Sequence, residues 1–236
     1  MTTVAVRLFL STVPDADAAE RWEALLPPED LANAEQRRHP VARSERLAGR
    51  LLLRRALSTV SGENPFDADN IARWRFRREQ GRLVGDPAQT PWRFSLSHGH
   101  GHAVCLLARG HACGVDLESA DRALPWRALA GRYFHPDETL ALARLPEDEQ
   151  REAFLRLWTC KEAAVKAWGT GLANHMARIV FDPVTLALRA CPPEYAGDRL
   201  QLQHRRTGGL LLTAAVDAPV TADWRWETVD LLRQPG

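Results

Sequence analysis

Residues 154–172 read FLRLWTCKEAAVKAWGTGL, and the rest of the chain is best read outward from them. At about 100° per residue, Phe154, Leu157, Trp158, Val165 and Trp168 share one stripe roughly 100° wide, as a core-facing helix requires. Lys161 falls in the middle of that stripe. Glu162 sits at its edge, and Lys166 lies one turn beyond Glu162 on the same side. A lysine on an apolar seam is costly unless something anionic meets it. Gly169 and Gly171 provide the helix stop. Taken alone, the stretch is equally well a core helix whose Lys161 reaches out to water and whose Glu162–Lys166 pair is a weak surface bridge.

A second stretch, Gly114-Val115-Asp116-Leu117-Glu118, follows a strand-like run over residues 103–109. In a strand, alternate side chains share a face, so Asp116 and Glu118 point together and Val115 and Leu117 point the other way. Two neighbouring carboxylates repel unless a cation or a proton lies between them. A solvated strand end satisfies the pattern. So does a hard-cation site, because Mg²⁺ prefers oxygen ligands and completes its shell with water and phosphate. Glu162 would add a third oxygen, and Lys161 and Lys166 would meet phosphate charge.

The composition narrows the classes. With 236 residues, 45% of them hydrophobic, the chain can bury one large core or two small ones. A formal net charge of +1 argues against bulk attraction to nucleic acid or to a membrane. Arginine dominates the first third, and the two lysines of the chain are Lys161 and Lys166. Cys105, Cys113, Cys160 and Cys191 form no CxxC pair and read as small buried hydrophobes in a reducing compartment. No signal-like segment and no apolar run of about 18 residues is present, so a cytoplasmic protein is expected.

In order, strands are expected over residues 4–10, 71–77, 94–96, 103–109 and 114–118, with a hairpin turn at Gln80-Gly81-Arg82. Helices are expected over 15–25, 29–38 and 42–60, and then over 125–133, 138–145 and 147–167. Short strands follow over 179–181, 186–189, 200–204, 210–216 and 224–229, and the tail from Arg233 is expected to fray. Arg43, Arg46 and Arg50 form a row on the helix over 42–60, which suits either solvent or several phosphates. His98, His100 and His102 alternate, but Gly99 and Gly101 favour a turn, so a zinc site is the weaker reading. His98 is kept as a group that hydrogen-bonds a phosphate or the attacking atom. The fold expected is α+β: two lobes, residues 1–110 and 111–236, each with a small antiparallel sheet and one long helix.

Three segments together carry a resemblance. Gly114–Glu118, the segment Trp158-Thr159-Cys160-Lys161-Glu162-Ala163-Ala164-Val165-Lys166, and Phe94-Ser95-Leu96-Ser97-His98 before them resemble the 4′-phosphopantetheinyl transferases in type, order and spacing. The chain looks most like the surfactin-type, pseudo-dimeric subfamily. Arg132-Tyr133-Phe134 with Glu138 also looks like a family segment. The resemblance implies two similar α/β lobes with the active site between them. It implies transfer of the phosphopantetheine arm of coenzyme A to a serine of an apo acyl or peptidyl carrier domain, with release of 3′,5′-ADP. Asp116, Glu118 and Glu162 would hold Mg²⁺, Lys166 would contact the reacting phosphate, and Lys161 would assist. Ser97 and His98 match positions that touch the nucleotide phosphates, Arg82 stands where a lysine is often found, and Arg46 and Arg43 match a basic helix. Arg37 and Arg38 are the only remnant of an earlier basic cluster, since Asp30 and Asn33 stand where a relative has lysines. Glu162 is the preferred base. The expected protein is a monomer. The competing readings are a non-catalytic coenzyme A or nucleotide-binding protein, the zinc hydrolase, and an interaction protein without catalysis.

Overall fold

The computed structural model describes residues 3–13, 18–35, 39–79, 82–170, 176–195 and 197–232. Arg37, Arg38, the Gln80-Gly81 turn, Gly171 and the tail from Arg233, all read from sequence, lie outside these residues. The chain is a mixed α+β protein, and its contacts divide it into two units, residues 4–111 with the chain from Asp223 onward, and residues 112–222.

In the first unit the elements are β1 (Val4–Thr12), α1 (Ala18–Glu23), α2 (Pro28–Glu35), α3 (Pro40–Val60), α4 (Ala68–Ala72), β2 (Phe76–Glu79), β3 (Arg82–Gly85), β4 (Trp92–Gly99) and β5 (His102–Arg109). The second contains β6 (Ala112–Ser119), α5 (Trp126–Tyr133), α6 (Pro136–Ala143), α7 (Glu147–Trp168), β7 (Val180–Phe181), β8 (Leu188–Ala190), β9 (Leu200–Thr207) and β10 (Leu210–Asp217). The last strand, β11 (Ala222–Thr228), pairs beside β1 in a four-stranded sheet of order β11-β1-β5-β4. It was expected in the second lobe; hydropathy alternation makes a strand but does not say which sheet edge receives it.

In the first unit, α3 covers one face of that sheet. Leu47, Leu51 and Leu52 are fully buried against Phe9, Ala103, Cys105 and Leu107, which alternate onto that face of β1 and β5. Pro40 opens α3, where a missing N–H has no consequence. Residues 71–77 were expected as one strand. Instead Ile71 and Ala72 close α4, because Asp67 accepts the Asn70 N–H at 3.0 Å and starts a helical turn. Arg54, wholly buried, donates from Nη1 to the carbonyls of Ile71 and Trp74 at 3.0 and 2.9 Å and so closes the same turn from the other end.

In the second unit, α7 lies on a three-stranded antiparallel sheet of order β6-β10-β9. Its opposite side packs on α5 and α6 through aromatic rings. Phe134 and Phe154 stack at 4.9 Å, and Trp158 sits 5.8 Å from Phe154. Gly169, at φ 76°, caps α7 in the left-handed region and returns its N–H to Val165 O at 2.9 Å. Among the described residues no helix is long and apolar enough to cross a membrane.

Phe154 has no exposed surface and touches three aromatic neighbours. Phe154→Ala is expected to lower stability by about 3–5 kcal/mol, read from the shift in the chemical-denaturation midpoint.

Candidate active site

The placement of α7 on β6 follows from one missing atom. A Cβ at Gly114 would stand 2.0 Å from Ala163 O and 2.5 Å from Ala167 N, so only glycine lets the helix backbone lie directly on the strand. Two residues along β6, on the same face, comes Asp116, then Glu118. From α7, Glu162 and Lys166 lie on the side that meets them. Lys166 Nζ donates to Asp116 Oδ1 at 2.8 Å and to Val115 O at 2.9 Å. Asp116, Glu118 and Glu162 are 7%, 6% and 6% exposed. The sequence-derived acids and Lys166 are therefore brought to one place.

The electrostatics of that place are frustrated. Burial first, and then the charges of Asp116 and Glu118, push the Glu162 carboxyl up to about 7, against the opposing pull of Lys166. Arg122, one helical-repeat spacing beyond Glu118, takes Glu118 Oε1 at 2.5 Å. Sequence reading missed Arg122, although its four-residue offset from an acid is a visible signal. The chemistry of the donors suits a hard divalent cation: three oxygen acids whose mutual repulsion such an ion relieves. As they stand, Lys166 and Arg122 each hold one of the acids, and no group of three or more His, Cys, Asp or Glu among the described residues is drawn in to share one ion.

Lys161 corrects an expectation. It is wholly buried and points away from the acids, into the layer formed by α6 and the chain before β7. Nζ meets Glu138 Oε2 at 2.6 Å, donates to Met176 O at 2.8 Å and to Ile179 O, and lies 4.8 Å from the centre of the Phe134 ring. All three hydrogens are used, so Lys161 has none to offer a phosphate. The anion that its place on the apolar seam demands is Glu138, which also accepts from His135 N at 2.9 Å and Phe181 N at 2.8 Å.

In the first unit, a separate cleft of about 240 Å³ is lined by Arg46, Gly49, Arg50, Arg78, Leu83, Leu96 and His98. Arg46 and His98 are thus together, the His98 ring lying beside Gly49. Glu45 Oε1 accepts the Gly101 N–H at 2.8 Å and ties the β4–β5 turn to α3, which holds His98 in place. Arg50 belongs to the arginine row read from sequence as suited to phosphates, whereas Arg78 was not singled out for this role. Burial, and then the neighbouring Arg46, Arg78 and Arg54 guanidiniums against the opposing pull of Asp30, bring Arg50 down to about 10.

Three expected residues stand outside the lining. Arg43 is paired with Glu23 at 2.7 Å. Ser97 alternates with Leu96 and His98 and faces the other side of β4. Arg82 is exposed at the start of β3. The three histidines do not share a face: His98 lies next to the end of β4, His100 turns at φ 55°, and His102 opens β5 opposite Gly99.

Residues 112–206 match the family model described as the 4′-phosphopantetheinyl transferase superfamily. The chain is 33% identical over 152 residues to the 4′-phosphopantetheinyl transferase HetI of Nostoc sp., covering 64% of this chain and 62% of that relative. It is 36% identical over 129 residues to AcpT of Salmonella typhi, covering 55% and 60%. It is 30% identical over 127 residues to gsp of Aneurinibacillus migulanus, covering 53% and 48%. The matches thus span less than two thirds of each relative's length.

Two outcomes follow from the geometry. In the absence of divalent cations, Glu162 is protonated more readily folded than unfolded, so its contribution to stability is present below about pH 4.5 and is lost as pH rises through about 7. Denaturation across that window should show the decline, on the order of 3 kcal/mol, and Glu162→Gln should flatten it. Lys161→Met should cost about 3–5 kcal/mol by leaving Glu138 buried and unpaired, whereas Lys166→Met, at a half-buried site, should cost clearly less in the same measurement.

Proposed function

We propose that this chain, whose residues 112–206 match the 4′-phosphopantetheinyl transferase superfamily model, moves the phosphopantetheine arm of coenzyme A onto a serine of an apo carrier domain, acyl or peptidyl, and releases 3′,5′-ADP. The observation that carries the reading is the meeting of Asp116, Glu118 and Glu162 with Lys166 where α7 lies on β6. The relatives printed as 4′-phosphopantetheinyl transferases agree with it.

In this reading Asp116, Glu118 and Glu162 would hold Mg²⁺. When bound, the ion supplies positive charge to the pyrophosphate oxygens on which charge develops. The rest falls to the chain's own groups. Lys166 Nζ swings from Asp116 to the reacting phosphate and stabilises its oxygens. The serine Oγ forms a bond to the β-phosphorus as the bond from that phosphorus to the oxygen of 3′,5′-ADP breaks. The hydroxyl proton passes to Glu162, directly or through a water. Arg46 and His98 take the nucleotide phosphates in their cleft, and exposed Arg82 adds charge nearby. Lys161 has no part in the chemistry. The two units are read as related halves, since each sets one long helix, α3 or α7, on an antiparallel sheet. The reading takes the protein as a cytoplasmic monomer.

Incubation of an apo carrier domain with the protein, coenzyme A and Mg²⁺ should add the phosphopantetheine mass to the carrier, seen by mass spectrometry. Glu162→Gln and Lys166→Met should each lower the rate by about 10²-fold or more. No mass gain with any of acyl, polyketide or peptidyl carrier domains would sink the reading.

A further inference from the structure

Asp30 stands on α2, is 2% exposed, and is the acid to which two buried guanidiniums are tied. Its Oδ2 accepts from Arg54 Nε at 2.7 Å, and its Oδ1 is 3.4 Å from Arg50 Nε. Arg54 is immobilised further by the carbonyls of Ile71 and Trp74. Arg50 is only 4% exposed, lines the cleft with Arg46, Arg78 and His98, and its Nη1 is buried with no hydrogen-bond partner. A buried guanidinium hydrogen without an acceptor is costly, and native proteins leave few of them. Arg50 lines a cleft whose other charged side chains are the Arg46 and Arg78 guanidiniums, and an anion entering it would give the unpartnered group an acceptor.

We infer that Asp30 is a positioning residue for anion binding: its ion pair with the Nε edge of Arg50 orients that guanidinium for an incoming phosphate. The inference rests on the coenzyme reading only for the identity of that phosphate. It has an unusual sign. By charge alone, a carboxylate beside a phosphate site weakens it, so removing the carboxylate should tighten binding. If Asp30 works by orientation, removing its charge releases Arg50 and binding weakens, because a preorganised fork forfeits less on binding than a free one. The bland alternative is a buried ion pair that only ties α2 to α3.

The test is calorimetric titration of adenosine 3′,5′-bisphosphate, and separately of inorganic pyrophosphate, into the full chain and its Asp30→Asn, Arg50→Gln and double variants. Each is checked for folding by its thermal melt. Asp30→Asn is expected to weaken binding by about tenfold. Arg50→Gln should do the same, and adding Asp30→Asn to it should change nothing further, since the acid acts through that arginine. In turnover, KM for coenzyme A should rise with kcat held, a split that a general loss of stability would not give. Equal or tighter binding by Asp30→Asn, or full additivity in the double variant, overturns the inference. Wild-type binding of pyrophosphate but not of the bisphosphate overturns the coenzyme reading while the Asp30 comparison is still read on pyrophosphate. Binding of neither overturns both.

Discussion

The close approach of α7 to β6 at Gly114 is the constraint from which the acidic cluster follows. Because no side chain separates the backbones there, Glu162 and Lys166, the neighbours of Ala163 and Ala167 at the contact, meet the strand residues two and four positions beyond Gly114. The same contact accompanies a change in side-chain polarity on the fully buried sheet face under α7. Ala215, beside Gly114 in register, is small and buried, whereas Thr213, beside Asp116, carries a hydroxyl that meets Thr159 of α7 at 2.9 Å and His204 of β9 at 2.9 Å. The interface passes from close backbone packing to a polar row, and the carboxylates sit at the start of that row.

The second constraint is how each unit disposes of buried charge. In the second unit, Glu138 and Lys161 satisfy one another with help from two backbone N–H groups and two carbonyls, which makes a closed and inert node. In the first, Asp30 is the buried carboxylate that faces both Arg50 and Arg54, and exposed Glu29 adds only a 3.8 Å contact to Arg54, so compensation is incomplete. A closed node supports a fold. An incomplete one leaves a charge for something else to meet.

Much of this was legible in the residues. The 3.6-residue period of α7 and the two-residue period of β6 were enough to predict that Asp116 and Glu118 share a face and that Glu162 and Lys166 share a side. What escaped depends on contacts distant in sequence. Lys161 and Lys166 look alike as text, but 100° of rotation per residue sends one toward Glu138 and the other toward Asp116. Arg43 and Arg46 are one turn apart, yet Glu23 occupies the first and the cleft receives the second. The strand expected through Ile71 failed because Asp67 and Arg54 cap a short helix there, and Arg54 lies 17 residues from the carbonyl it binds. Local pattern names the side chains that carry charge; tertiary packing decides which of them stays available.

The walls of the first unit's cleft carry one more implication. Leu83 and Leu96 contribute hydrocarbon beside the guanidiniums and His98. Hydrocarbon walls keep mobile counter-ions from crowding around the fixed cations and confine field lines to the opening. A polyanion seated there would exchange attraction with those cations through a poorly polarisable medium. Its residence should therefore fall off more gently with ionic strength than that of an anion resting on open arginine-rich surface, where a Debye length of about 8 Å at physiological salt erases most of the pull.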